Sequence, residues 1–286
     1  MSTPAFDPAQ YKEGIRQEWQ KTAEGWHTWM PFISNWLRPA TELMFDLADV
    51  GVGSRVLDLA AGDGDQSFKA AKRVGPTGFV LSTDIAENLV VFAAQTAREA
   101  GLHQMEARVM DSERLEVADA SFDAVISRLG IMYFPHLQQA LSEVWRALKP
   151  GGHIAAIVFS TSARNPFFSI PVSIIRKRAG LTPPSSERPG PFRLAEPGVL
   201  EEAFRNTGFT GVESHVLVAP VRMASARECL RWRRETSGTL QQMLRGLSDT
   251  EIQQAWEEIE TELKQYEGAH GFESPCELII GGGLKA

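Results

Sequence analysis

Short apolar runs alternate with amphipathic stretches between residues 54 and 160. In the amphipathic stretches the apolar residues recur every three or four positions, which indicates helices with one buried face. The predicted strands are 55–60, 79–83, 105–110, 122–127 and 153–159, and the predicted helices are 66–74, 87–100 and 136–148. Strands that alternate with helices predict a parallel, doubly wound α/β sheet with helices on both faces.

The chain on either side of this region has different patterns. Residues 1–52 have a helical pattern and contain four of the seven tryptophans, so we predict an N-terminal helical aromatic cap. Residues 53–160 would be the cofactor-binding core. Residues 161–286 would supply a lid, a helical insertion and closing strands. Within them we predict an irregular lid at 161–198, a helix at 199–206, a strand at 212–219, a helical stretch at 224–267 and a last strand at 277–280.

Charge and composition exclude several classes of protein. The 286 residues carry a net charge of −7, which argues against nucleic acid or an anionic membrane as the main partner. The basic runs at 176–178 and 231–234 are therefore expected to be solvated helix faces. Cys229 and Cys276 are too few for a disulfide framework or a zinc cluster.

The N-terminal sequence and the lengths of the apolar runs indicate the location and the partners of the protein. The N-terminus lacks a basic region followed by an apolar core, so no secretory signal is expected. No apolar run reaches the length of about 18 residues that a spanning helix requires. We therefore expect a cytoplasmic protein without an integral membrane segment, whose partner is a small molecule. The oligomeric state is open.

The most informative motif is an apolar strand that ends in an acid and leads into a glycine turn, at residues 56–65. Such a turn opens a nucleotide-type cofactor site. A dinucleotide would place its pyrophosphate there, but Asp58, Asp63 and Asp65 would repel phosphate. A cofactor that is cationic at this point fits better. S-adenosylmethionine (SAM) has a sulfonium and an ammonium group and no phosphate.

Acids recur at the ends of three successive predicted strands: Asp58, Asp84 and Asp111. Ligands of open α/β sheets bind at the carboxyl ends of the strands. Asp84 follows Asp58 at near the spacing of about 20 residues that is expected for an acid binding ribose hydroxyls. Each acid alone could equally be a helix cap or a turn residue, but three in register favour a site.

On these residues the chain resembles class I SAM-dependent methyltransferases of the ubiquinone/menaquinone-biosynthesis (UbiE-like) type. The resemblance covers about 54–160, and its segments are 56–64, 82–85, 109–113, 121–128 and 146–152. It implies a Rossmann-like seven-stranded sheet whose last strand is antiparallel. The late strands near 212 and 277 would then be the closing pair, separated by a helical insertion. The product would be S-adenosylhomocysteine (SAH).

The resemblance also implies roles for individual residues. Asp58, Ala60, Gly62 and Gly64 would hold the methionine end and the adjacent ribose. Asp84 would bind both ribose hydroxyls, Ile85 or Leu89 would pack on adenine, and Asp111 and Ser112 would meet the adenine ring. Ser127 would offer its carbonyl to the methionine ammonium, with Arg128 beside the carboxylate. The family often has glycine at position 60, where this chain has alanine.

Methyl transfer from a sulfonium needs alignment and a dry site more than a catalytic group. No metal is required. His27 is a weak candidate for a general base, as is His136, although each is more readily read as a surface or helix-start residue. The candidate residues for the acceptor pocket are Trp19, Trp26, Trp29, Tyr133, Phe167, Phe168 and Phe192.

Two alternatives remain open on the sequence. One is an NAD(P)-dependent oxidoreductase on a Rossmann sheet, against which stand the acids in the turn and the lack of a full G-x-G-x-x-G. The other is a non-catalytic SAM-binding module, because methyl transfer leaves no obligatory catalytic residue to find. Whether the methyl group goes to O, N, C or S is also open.

Overall fold

The alternating region forms the centre of a seven-stranded sheet. The structure, a computed structural model, describes residues 6–182 and 188–286. The strands are β1 Arg55–Leu59, β2 Phe79–Asp84, β3 Met105–Val109, β4 Phe122–Arg128, β5 Leu148–Phe159, β6 Thr210–Val218, β7 Val221–Met223, β8 Glu267–Gly268, β9 Gly271–Ser274 and β10 Glu277–Leu284. The helices are α1 Pro8–Trp36, α2 Arg38–Leu47, α3 Asp65–Val74, α4 Glu87–Glu99, α5 Leu137–Ala147, α6 Pro166–Arg178, α7 Val199–Thr207, α8 Ala226–Thr236, α9 Gly238–Leu244 and α10 Asp249–Leu263.

The strand order of the large sheet is β3-β2-β1-β4-β5-β10-β6. Strands β1 to β5 pair in parallel, and β10 is antiparallel to both β5 and β6. The predicted fold class, with its antiparallel last strand, is therefore confirmed. The chain leaves β1 in one direction along the sheet and reaches β4 in the other. This change of direction opens a crevice beyond the carboxyl ends of β1 and β4, where ligands of such sheets bind.

The N-terminal helices divide their packing between the sheet and the insertion. Helix α1 begins with Pro8, after Asp7 has capped it by accepting from the amides of Ala9 and Gln10. Its length packs on α4, α8 and α9, so α1 lies across the crevice. Helix α2 instead packs on β5 and β10 and covers one face of the sheet. The predicted division into a cap, a core and a C-terminal segment stays a prediction.

The segment after β5 corrects one prediction. Residues 161–198 were expected to be irregular, but α6 occupies Pro166–Arg178. Pro166 stands in the first helical turn, where its missing amide hydrogen costs nothing, and Pro171 lies farther along. The prolines therefore made a helix with a buried apolar face look like an irregular segment. Residues 183–187 of the predicted lid lie outside the described residues.

The helical insertion is present but more divided than predicted. Stretch 224–267 contains three helices, α8, α9 and α10, instead of one continuous run. A capping box of Ser248 and Glu251 starts α10. Strands β7, β9 and β8 form a separate three-stranded sheet that the sequence analysis missed.

The basic run on α8 is not a solvated face, so that expectation was wrong for its centre. Arg233 and Trp232 are 4% and 2% exposed, respectively. The Arg233 guanidinium lies 4.1 Å from the ring centroid of Phe168. The helix turns one side inward, so residues two positions apart differ in exposure. Cys229 and Cys276 are free and buried.

Within the described residues, every helix is too short or too polar to cross a bilayer. The expected cytoplasmic location stays a prediction.

Candidate active site

A cavity lies beyond the carboxyl ends of β1 to β4, and α1 forms its roof. We call it the strand-end cavity. About 1030 Å³ of empty space lies within it and its open mouth, which is at the upper end of the range for small-molecule sites. The strand ends contribute Ala60, Ala61, Gly62, Asp63, Asp65, Gln66, Asp84, Ile85, Leu89, Met110, Asp111, Ser112, Glu113, Arg128, Leu129, Gly130, Tyr133, Phe134 and Pro135. The roof contributes Lys12, Ile15, Trp19, Trp26, Met30, Ile33 and Leu37.

Two turns at the floor of the cavity adopt a backbone conformation that L residues rarely occupy. Ala60 has a φ of 51° and Leu129 a φ of 58°. They follow β1 and β4, the two strands that flank the crevice. Backbone strain of this kind persists where the surroundings enforce it, and it clusters at functional sites.

Asp84 joins the ends of β1 and β2. Its Oδ2 atom accepts from the amide of Gly62 at 2.9 Å, and its Oδ1 atom accepts from the amide of Ala86 at 2.9 Å. Burial raises the pKa of Asp84, and these backbone hydrogen bonds oppose the rise. The carboxylate is thus held in place, with lone pairs left to accept from hydroxyl groups of a ligand.

Asp111 and Glu113 share a cation from the roof. Nζ of Lys12 on α1 lies 2.7 Å from Oδ2 of Asp111 and 2.5 Å from Oε2 of Glu113. Glu113 also accepts from the amide of His136 at 2.8 Å. These contacts tie α1 to the end of β3.

Arg128 and Lys69 both face Asp65. Nη1 of Arg128 donates to Asp65 at 2.7 Å, and Nζ of Lys69 donates to it at 3.0 Å. The two cations lower the pKa of Asp65 against the effect of burial. Asp65 is therefore an ionised carboxylate at the N-terminus of α3, where the helix dipole also favours it.

Aromatic and apolar side chains also line the strand-end cavity. Trp19 meets Trp26 and Tyr133 edge to face, with centroid separations of 5.5 and 5.7 Å. Nε1 of Trp26 donates to the carbonyl of Thr236 on α8. Trp19 and Trp26 also pack on Ala86 and Leu89 beside the end of β2, so aromatic and acidic side chains line the same cavity.

This arrangement fits a cofactor with a cationic part, ribose hydroxyls and a flat base. Residues 51–179 match the family model described as a methyltransferase domain. This central part of the chain is thus similar to a methyltransferase domain. The resemblance to class I SAM-dependent methyltransferases is confirmed, and SAM follows as the cofactor of this domain.

Curated relatives of the domain share its central part. A demethylmenaquinone methyltransferase of Listeria welshimeri is 35% identical over 122 residues, which is 43% of this chain and 50% of that protein. A ubiquinone/menaquinone biosynthesis C-methyltransferase UbiE of Bordetella avium is 38% identical over 117 residues, or 41% of this chain and 45% of that protein. The chain spans about half the length of the curated relatives it matches.

A solved structure supports the fold over a longer stretch. The YcgJ protein of Bacillus subtilis aligns with a TM-score of 0.59 and 17% identity, covering 87% of this chain and 98% of that one. At this identity the likeness shows the fold alone.

The structure brings most of the predicted cofactor residues together. Those that line the strand-end cavity are Ala60, Gly62, Asp84, Ile85, Leu89, Asp111, Ser112 and Arg128. Their roles stay predictions.

Three predicted cofactor residues lie behind the cavity instead of in its wall. Asp58 is fully buried, accepts from Ser67 Oγ at 2.5 Å and from Gln66 Nε2 at 3.2 Å, and has a pKa raised by burial to about 7. It thus positions the first turn of α3. Ser127 donates to the carbonyl of Leu59 at 2.9 Å. At Gly64, where φ is 90°, a Cβ atom would lie 2.9 Å from the Phe68 ring and 3.0 Å from the Cβ atom of Ala93.

The predicted acceptor residues divide in the same way. Trp19, Trp26 and Tyr133 line the cavity. Trp29 turns away and donates to Glu235 at 2.6 Å. Phe167 is fully buried against Trp232, with stacked rings 5.7 Å apart, and Phe168 lies under Arg233. These three residues pack α1 and α6 against α8. Both phenylalanines are in the core because they lie on α6, a helix that was not predicted from the sequence. Phe192 is half-buried and packs on Phe159 and Phe168.

The two histidine candidates also lie outside the cavity wall. His27 stacks on Phe92 at 4.4 Å with 7° between the ring planes. His136 precedes α5, and its amide donates to Glu113. The sequence analysis missed Lys12 and Glu113. Glu113 lay within the family segment 109–113, whereas no local signal marked Lys12.

Proposed function

We propose that this chain is a methyltransferase that transfers the methyl group of SAM to a small, largely apolar or aromatic acceptor. The observation that carries the proposal is the strand-end cavity, which is lined both by strand-end acids and by aromatic side chains. The acids suit the polar cofactor, and the aromatic side chains suit an apolar acceptor. Residues 51–179, which contribute the strand ends of this cavity, match the model of a methyltransferase domain, and this match supports the same reaction.

On the cofactor side, we assign the ribose hydroxyls to Asp84, which is fixed by two backbone amides. Ile85 and Leu89 supply the apolar surface for adenine, and Asp111 lies at the next strand end. When bound, SAM supplies a methyl group on a positively charged sulfur. The chain has to orient that group and exclude water.

On the acceptor side, Trp19, Trp26 and Tyr133 offer flat surfaces, and Met30 and Ile33 extend the apolar wall along α1. Flat aromatic rings in offset or edge-to-face contact suit an aromatic or quinone-type ring. Both curated relatives described above are named as methyltransferases of quinone biosynthesis. The reduced, hydroquinone form of a quinone-type acceptor, methylated on a ring carbon that then loses its proton, is therefore the first acceptor to test.

Tyr133 is a hydrogen-bond donor in this proposal and not a base. Burial raises the pKa of its hydroxyl, so the phenol keeps its proton at neutral pH. It can orient an oxygen of the acceptor. The displacement at the sulfonium itself needs no base, and solvent can accept the proton that the ring carbon loses after methylation.

The direct test is transfer of a labelled methyl group from SAM to a panel of acceptors. The panel comprises short-chain demethylmenaquinone analogues kept in the reduced, hydroquinone form, catechols, small amines and thiols. We expect turnover with the quinone or catechol members and SAH formation in step with it. Tight SAM binding with no turnover across the panel would contradict catalysis and leave a cofactor-binding module. Turnover confined to the amines or thiols would contradict the acceptor assignment.

A further inference from the structure

The carboxylates that line the strand-end cavity differ in whether they have partners. There are five, at Asp63, Asp65, Asp84, Asp111 and Glu113. Asp65 is held by Arg128 and Lys69, Asp111 and Glu113 share Lys12, and Asp84 accepts from two backbone amides. Four of the five are thus neutralised or fixed by the protein itself.

Asp63 is the exception among the described residues. It is 7% exposed, and its Oδ2 atom is buried without a hydrogen-bond partner there. The nearest basic atom is Nδ1 of His27, at 3.8 Å. That separation is too long for a hydrogen bond, and Nδ1 is itself buried without a partner among the described residues. A buried carboxylate left in this state is costly, so a missing partner is the simplest explanation.

The surroundings of Asp63 favour an ammonium group over a metal ion as the missing partner. In the part of the chain that the structure describes, no group of three or more acidic, histidine or cysteine side chains could hold a metal ion. Asp63 follows Gly62 in the turn between β1 and α3, and the guanidinium of Arg128 acts on it through space. A carboxylate and a guanidinium on one side of a cavity match the ammonium and carboxylate of an amino acid.

We propose that Asp63 is the residue that receives the ammonium group of the methionine part of SAM. The inference rests on the proposed function, because it takes SAM as the ligand. It assigns the binding of the positively charged ammonium group to the side chain of Asp63. Arg128, which is engaged with Asp65 and lines the same cavity, would attract the carboxylate of the ligand. The ammonium then supplies the hydrogen bonds that Oδ2 lacks.

The test compares SAH with an analogue in which hydrogen replaces the amino group, by calorimetric titration of the whole chain. In Asp63→Asn, which keeps the shape of the side chain, we expect SAH affinity to fall by about tenfold or more, as for a lost charge-assisted hydrogen bond. Affinity for the analogue should change by less than about twofold, since it has no ammonium to lose. Asp46→Asn on α2, whose carboxylate is exposed and pairs with Arg73, is the matched control and should leave both affinities unchanged.

The outcomes separate this inference from the proposed function. If the original protein binds SAH and Asp63→Asn weakens both ligands equally, or neither, the ammonium assignment is wrong while the methyltransferase proposal stands. If the original protein binds neither SAM nor SAH, the proposed function fails and the assignment fails with it. Thermal unfolding of Asp63→Asn without ligand checks that the variant is folded. Should it not fold, Asp63→Ser provides the same comparison.

Discussion

The methyl group of Ala60 fills the space that a side chain at Gly130 would need. A Cβ atom at Gly130 would lie 2.6 Å from the Cβ atom of Ala60 and 2.9 Å from Oγ of Ser127. The two residues follow β1 and β4, and both line the strand-end cavity. The family that this chain resembles often has glycine at position 60, whereas this chain has alanine at position 60 and glycine at position 130. The backbone of Ala60 is left-handed, with a φ of 51°.

Gly130→Ala should therefore destabilise the fold. We expect the free energy of unfolding in urea to fall by about 1–3 kcal/mol, as for other overpacked sites. In the Ala60→Gly background the loss should be smaller, because the first of the two clashes is gone. Equal losses in both backgrounds would show that Ala60 and Gly130 are not coupled.

Trp19→Ala should impair the acceptor more than the cofactor. Trp19 lines the cavity next to Trp26 and Tyr133. With a demethylmenaquinone analogue, we expect kcat/KM to fall by at least about tenfold, as for loss of a stacked aromatic wall. The SAM dissociation constant should change by less than about twofold.

The control for Trp19 is Trp29→Phe, on the same helix but outside the cavity wall. Trp29 donates to Glu235, so this variant should lower stability and leave kcat/KM near that of the original protein. If Trp19→Ala lowers both SAM affinity and turnover, Trp19 contacts the cofactor as well as the acceptor, which would contradict this assignment.

Arg233→Met should leave the protein as stable or make it more stable. Burial lowers the pKa of Arg233, its Nε atom lacks a partner among the described residues, and its main contact is the Phe168 ring. Replacing a buried charge by an apolar chain of similar size is often neutral or stabilising by about 1–4 kcal/mol. Thermal unfolding measures it, and Arg233→Lys, which keeps the charge but loses the flat stacking surface, should unfold earlier. If Arg233→Met had a lower melting temperature than Arg233→Lys, the buried charge would be stabilising, which would contradict the prediction.

SAH affinity should depend on pH through Asp63. Burial raises the pKa of Asp63 to about 7; Arg128 opposes the rise and Asp65 adds to it. An ammonium ligand favours the ionised carboxylate and lowers that pKa on binding. Below about pH 7 binding must therefore displace a proton, so affinity falls as the pH decreases, and above that value it levels off.

Calorimetry from pH 5.5 to 8 checks the dependence, at values that bracket the group's pKa of about 7. Asp63→Asn should flatten the profile. His27→Gln should keep it, since His27 lies 3.8 Å from Asp63 but makes no hydrogen bond to it. A profile that survives Asp63→Asn would assign the titration to another group.

The sequence predicted the sheet because its strands carry continuous apolar runs and its helices a regular apolar face. The strand-end acids Asp84 and Asp111 followed from the ends of those runs. Helix α6 was missed because Pro166 and Pro171 look like breaks until the first-turn position of Pro166 is known. The buried state of Arg233 was missed because its charged neighbours dominate the pattern.

The contacts of the roof could not be predicted, because they join residues far apart in the chain. Lys12 reaches Asp111 across 99 residues. Nothing near Lys12 indicates that partner, since the pairing depends on where α1 crosses the sheet. The same holds for His27 and Asp63.

The central claim, a SAM-binding methyltransferase site at the strand ends, is tested most directly by calorimetric titration with SAM and with NADH. The original protein should bind SAM and not NADH. Asp84→Ala, which removes both the proposed ribose contact and the tie to Gly62, should weaken SAM binding by about 1–3 kcal/mol. Binding of NADH alone, or SAM affinity unchanged by Asp84→Ala, would contradict the account.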